Sequence, residues 1–130
     1  LTAVEQLAIR DSAARRRAVA VLAAIRKCKG RAAAVSMRTI AEQTEIRERD
    51  IQAIVKALVE ERHFPIGTST KKPFGYFWIV TDEERRTVRN QFIRRGASTL
   101  AHARAFDNEQ LVAPIVGQLE LALQEEETKP

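Results

Sequence analysis

The sequence predicts a mostly α protein with one small β-hairpin, followed by C-terminal helices. Three observations carry this. Apolar residues recur at helical spacing through much of residues 12–62. Residues 63–80 break that spacing with prolines, glycines and the run "GYFWIV", rich in aromatic and β-branched residues. Residues 81–84, "TDEE", then read as a helix start: Thr81 can cap the first turn and Glu84 can reach back to the Thr81 N–H.

The first helix is expected over "DSAARRRAVAVLAAIRKCKG", with Asp11 or Ser12 as start signal and Gly30 as stop after basic residues. Ala18, Val21, Leu22, Ile25 and Cys28 share its apolar stripe, which makes Cys28 a buried small hydrophobe. "AAAVSM" is expected as one short extended segment with Val35 inward. Ser36 then caps a helix over "MRTIAEQT". A further helix covers "RERDIQAIVKALVEER", with Ile51, Ile54, Val55 and Leu58 on one face, and His63 follows as a surface turn residue. "FPIG" and "GYFWIV" are the two strands. Phe64, Ile66, Phe77 and Ile79 are expected on the core side. Tyr76 and Trp78 would line the outer surface or pack under the C-terminal helices. After "TDEE" a basic helix reaches at least Arg95, with Gly96 able to bend it before it resumes through Phe106. Pro114 suits the first position of a last helix, on which Ile115, Val116, Leu119 and Leu123 form an apolar stripe.

Composition narrows the function classes. A chain of 130 residues fits one domain with an extra helix or two. The net charge of +5 points to a polyanionic partner. That charge is uneven. Residues 1–35 hold eight Lys/Arg against two acids, whereas residues 107–130 hold one against six. The acidic end reads as a solvated tail, a partner-binding segment or a mask for the basic surface. The single Cys28 forbids an intrachain disulfide, and two scattered histidines argue against structural zinc. This suits a reducing, cytoplasmic setting. No apolar run approaches the ~18 residues of a membrane span. There is no glycine-rich phosphate loop, nucleophile elbow or carboxylate pair, so no enzymatic chemistry is expected, and nothing points to a cofactor, a metal or a small-molecule effector.

"IAEQTEIRERDIQAIVKALVEE" resembles the helix-turn-helix pattern. Ile40 and Ala41 stand where its first helix packs on the second, Ile46 at the apolar turn position, and Ile51 and Leu58 at the buried positions of the second helix. Small Ala41 permits a close crossing. Glu45 stands where the turn usually has Gly, so a side chain must adopt the glycine conformation. The hairpin with "GYFWIV" resembles the wing of winged helix-turn-helix domains, including the biotin-operon repressor type, in which a Gly-Tyr pair opens the last strand. The resemblance covers about residues 12–95. Over residues 63–104, "PIG", "GYF", "TDEE" and a basic helix also resemble small winged-helix proteins of bacteriophages and prophages.

The resemblance implies that the second helix enters the major groove of double-stranded DNA with its N-terminal half. Arg47, Arg49, Gln52, Ala53 and Lys56 are its candidate contacts. Arg can bridge guanine O6 and N7, Gln adenine N6 and N7, and Ala can meet a thymine methyl. Glu48 and Asp50 would stabilise the helix start and orient the arginines. Arg38 and Thr39 would face phosphates. The hairpin tip "GTSTKKP" has no apolar residue. Its Lys71 and Lys72 suit phosphate, and Thr68, Ser69 and Thr70 can donate to it.

The expected organisation is an N-terminal arm over residues 1–11, a winged helix-turn-helix domain over 12–80 and a helical extension over 81–130. The expected function is sequence-specific duplex binding by a transcriptional regulator or a replication or origin-binding factor of phage or mobile-element type, in a bacterial or phage-infected cell. A winged-helix interaction module in a larger assembly is the alternative. The stripe of Ile115, Val116, Leu119 and Leu123 is expected to hold a homodimer, with docking on its own chain as the other reading.

Overall fold

The computed structural model describes residues 12–108 and 110–128; Asp11 and the 1–11 arm lie outside them. Among the described residues, those from Ser12 to Arg85 form one compact unit and those from Arg86 a second.

The first unit is built on three helices. Helix α1 (Ser12–Arg26) buries Val21, Ala24 and Ile25. Helix α2 (Met37–Thr44) starts at Ser36, whose Oγ accepts from the Thr39 N–H at 3.0 Å. It ends at Glu45, which takes the left-handed conformation at φ 60° and donates its N–H to the Ala41 carbonyl at 2.9 Å. Helix α3 (Glu48–Glu60) buries Ile51, Val55 and Leu58. These residues, with Ile40, Ile46 and Ile66, form one core, and Ala41 and Ile54 pack against it. Each fully buried Ile or Leu contributes about 1.5–3 kcal/mol by leaving water. Helix α3 ends at Glu60, and past it His63, with φ 59°, turns the chain so that the Phe64 N–H donates to the Leu58 carbonyl at 3.1 Å.

Strand β1 (Ile66–Ser69) pairs antiparallel with β2 (Gly75–Trp78), Ile66 opposite Trp78 and Ser69 opposite Gly75. Directly opposed residues share a face. Ile66, Tyr76 and Trp78 therefore face the helical core, where Trp78 lies 6.1 Å from the Phe64 ring and carries the Arg26 guanidinium 5.3 Å above it. Phe77, expected beside Ile66, is buried on the opposite face. Tyr76 and Trp78 thus pack on the core of this unit, not along an outer surface. Alternation defines two sets of side chains but does not say which set turns inward.

The segment between α1 and α2 adds a third rung to the hairpin. Helix α1 stops at Arg26, four residues before Gly30, because β2 captures the backbone that follows. The Trp78 N–H donates to the Cys28 carbonyl at 2.8 Å, and the Gly30 N–H donates to the Trp78 carbonyl at 2.9 Å. Cys28 consequently lies beyond the helix, half-buried, with its thiol 3.5 Å from the Ala24 carbonyl. The expected extended segment shrinks to Val35, which exchanges two 2.8 Å bonds with Tyr76. Arg31–Ala33 is a short 3-10 turn instead.

Helix α4 (Asp82–Ala103) opens on the expected box: Thr81 Oγ1 accepts from the Glu84 N–H at 3.1 Å, and Glu84 accepts from the Thr81 N–H at 3.3 Å. It runs unbroken through Gly96, and a 3-10 turn over Arg104–Phe106 follows. Helix α5 (Val112–Thr128) starts two residues before Pro114, which still falls in the first turn, where no backbone donor is lost. The Asp107 carboxylate accepts the Val112 N–H at 2.7 Å. Arg89, early in α4, pairs with Glu126, late in α5, at 2.8 Å, so within the second unit the two helices run antiparallel.

Candidate nucleic-acid interface

The geometry of α3 separates its residues cleanly. At 100° per residue, Arg49, Gln52, Ala53 and Lys56 fall in a sector of about 100° opposite Ile51, Val55 and Leu58. All four are exposed. Arg47 is the N-cap residue with extended backbone, and its side chain is 72% exposed. The Asp50 carboxylate lies 3.4 Å from Arg47 Nε and 3.9 Å from Arg49 Nε. It therefore sits between the two guanidinium groups and limits where they point, although ion pairs this exposed add little stability.

On α2, Arg38 projects into solvent and pairs with Glu42 at 3.5 Å. Thr39 is half-buried, with its hydroxyl 2.8 Å from Ser36 Oγ, so it belongs chiefly to the helix cap. One neighbour is not predicted by the sequence. A shallow notch of about 170 Å³ is lined by Arg17, Glu45, Ile46, Arg47 and Asp50. It brings Arg17 of α1 beside Arg47. The run Arg15–Arg17 signals this only as charge, because nothing local says which of the three meets the turn.

The hairpin tip differs from expectation in one residue. Thr68, Thr70, Lys71 and Lys72 are exposed, but Ser69 is buried and donates its hydroxyl to the Lys71 carbonyl at 2.6 Å. Ser69 shapes the turn and presents nothing to a ligand. Arg31 Nη1 donates to the Lys72 carbonyl at 3.4 Å from the other side. The Arg31 N–H in turn donates to Glu84 Oε2 at 2.8 Å. One carboxylate thus joins the start of α4 to the segment that braces the tip.

The Glu84 carboxyl is held below its usual range, first by the Val80 N–H and then by the N–H groups of Arg31 and Thr81, against a smaller opposing effect of burial. Its contribution is present above the unfolded carboxylate value of about 4.3 and is lost as pH falls through the lower folded value. Glu84→Gln is expected to cost about 1 kcal/mol at pH 7, as for a weakened exposed cap. Melting curves should show the gap to the parent closing in acid; an equal gap at pH 3 and pH 7 would show that the charge is immaterial.

In the second unit, Val116 is fully buried within the single chain, Leu119 and Leu123 are half-buried, and Ile115 is 47% exposed. Val116 is therefore not available to a second copy. Among the described residues no group of three His, Cys, Asp or Glu could hold a metal ion, and no helix is long and apolar enough to cross a membrane.

Three core helices followed by a small antiparallel hairpin define a winged helix-turn-helix-like architecture. No protein-family model, curated protein or solved structure matches the chain.

Proposed function

We propose that this chain binds double-stranded DNA in a sequence-specific manner, as a transcriptional regulator or a replication or origin-binding factor of phage or mobile-element type. The observation that carries this reading is the exposed sector of α3, with Arg47, Arg49, Gln52, Ala53 and Lys56 on a helix whose other face is locked into the core. A rigid helix presenting Arg and Gln at its N-terminal half suits base edges in a major groove. Lys71, Lys72, Thr68 and Thr70 on the wing, and Arg38 on α2, suit the flanking phosphates. Residues 12–80 are the DNA-binding part in this reading, and residues 81–130 the extension.

Binding to a random duplex pool, measured by anisotropy at several salt concentrations, tests it. A steep fall with salt is expected, and replacing Lys71 and Lys72 by Ala should weaken binding to all duplexes alike. It should also lower the log–log salt slope by up to ~2, about one unit for each phosphate that is no longer neutralised. A parent chain that ignores duplex DNA supports an interaction module instead, and an unchanged slope removes the wing from the interface.

The same reading includes a homodimer, since proteins that read two half-sites need a two-fold partner. Ile115, 47% exposed, lies on the same side of α5 as the half-buried Leu119 and Leu123, and the three supply apolar surface for it. Light scattering is expected to give twice the chain mass; a monomer at high concentration overturns the dimer and leaves the duplex-binding claim standing.

A further inference from the structure

We propose that Phe74 is a DNA-contacting residue: its ring packs against the sugar and base edges lining a groove while Lys71 and Lys72 hold neighbouring phosphates. This rests on the duplex-binding reading and adds an apolar contact to it. Phe74 is 55% exposed at the end of the wing tip. A lone exposed hydrophobic side chain is ordinary on a protein surface. Phe74 stands in a tip that also carries two exposed lysines, Lys71 and Lys72, and that is held from both ends. Immediately before it the Lys71 carbonyl is tied to Ser69 Oγ at 2.6 Å, and the Lys72 carbonyl accepts from Arg31 at 3.4 Å. Immediately after it, Gly75 lies directly against the backbone of Val35, and Tyr76 exchanges two 2.8 Å bonds with Val35. The tip is therefore restrained on both sides of the ring, and little ordering entropy is left to lose on binding. Exposed lysines precede it in sequence. A polyanion drawn to those lysines is brought to a tip that carries the ring within three residues of both, and the apolar surface a duplex offers between its phosphates is the sugar and base wall of its grooves, where proteins place apolar side chains.

The salt dependence separates this contact from a phosphate contact, because an apolar ring releases no counterions. Phe74→Ala and Phe74→Trp are compared with the parent and with the double Lys71→Ala, Lys72→Ala variant on the same duplex pool, with melting curves as a folding control. Phe74→Ala is expected to weaken binding about tenfold at every salt concentration, with the log–log slope unchanged, and Phe74→Trp to retain affinity. Parent-like affinity of Phe74→Ala overturns the proposal while duplex binding stands. A reduced slope in Phe74→Ala also overturns it, since the variant would then be acting through the lysines. A parent that shows no salt-dependent duplex binding overturns both readings.

Discussion

Gly75→Ala is expected to cost about 3 kcal/mol or more and to lower the melting temperature by roughly 10 °C. Two effects add. Gly75 has φ 137°, a conformation that side-chain-bearing residues rarely adopt. A Cβ there would also overlap the Val35 carbonyl carbon and oxygen and lie 2.8 Å from Ser36 Cα. These are backbone atoms, so no rotamer change relieves the overlap. The chain must instead separate β2 from Val35 and give up the two 2.8 Å bonds between Val35 and Tyr76. Those bonds join the hairpin to the residue before the α2 cap, so the wing should loosen first. Gly96→Ala is the control. A Cβ at Gly96 meets nothing within 4 Å, and the residue lies inside α4, where Ala is the better helix former by up to about 1 kcal/mol. The two variants should therefore move the melting temperature in opposite directions. A parent-like melting curve for Gly75→Ala would show that β2 does not approach Val35 this closely in solution.

The second large effect concerns discrimination between DNA sequences. Arg47→Ala and Gln52→Ala are each expected to reduce the preference for a selected site over scrambled duplex by about 1–3 kcal/mol, the worth of one bidentate base contact. Both side chains are exposed, so folding should survive their loss. Asp50 sets a further expectation for Arg47. Its carboxylate lies 3.4 Å from Arg47 Nε, so the guanidinium is partly oriented before DNA arrives. Competition between the selected and scrambled duplexes measures the difference directly. Equal loss on both would show that α3 touches only the DNA backbone, which would leave the sequence-specific part of the proposed function without support.

The elements legible in the sequence are those whose partners lie within a few residues. Ser36 caps α2 through Thr39, Thr81 and Glu84 close their box across three residues, and Ile51, Val55 and Leu58 recur at helical spacing. Glu45 occupies the left-handed turn because the packing of α2 on α3 requires that geometry whether or not the residue is Gly. The exposed sector of α3 follows from the same periodicity, since knowing the buried face locates the opposite one. The outward placement of Arg49, Gln52, Ala53 and Lys56, with Arg47 at the helix start, is therefore written in the spacing of the apolar residues between them.

Other features depended on contacts between distant parts of the chain. β2 binds the backbone of residues 28–35, far from it in sequence, which ends α1 early and removes Cys28 from it. Pairing register turned Tyr76 and Trp78, rather than Phe77, toward the helical core. Ser69 is buried because the tip folds over its hydroxyl, and Arg17 joins Arg47 because α1 passes the turn at that point. Caps and periodicity are short-range preferences that the chain expresses residue by residue. Register, edge pairing and the identity of a neighbour across the core are settled only when separate elements compete for the same buried surface and the same backbone hydrogen bonds.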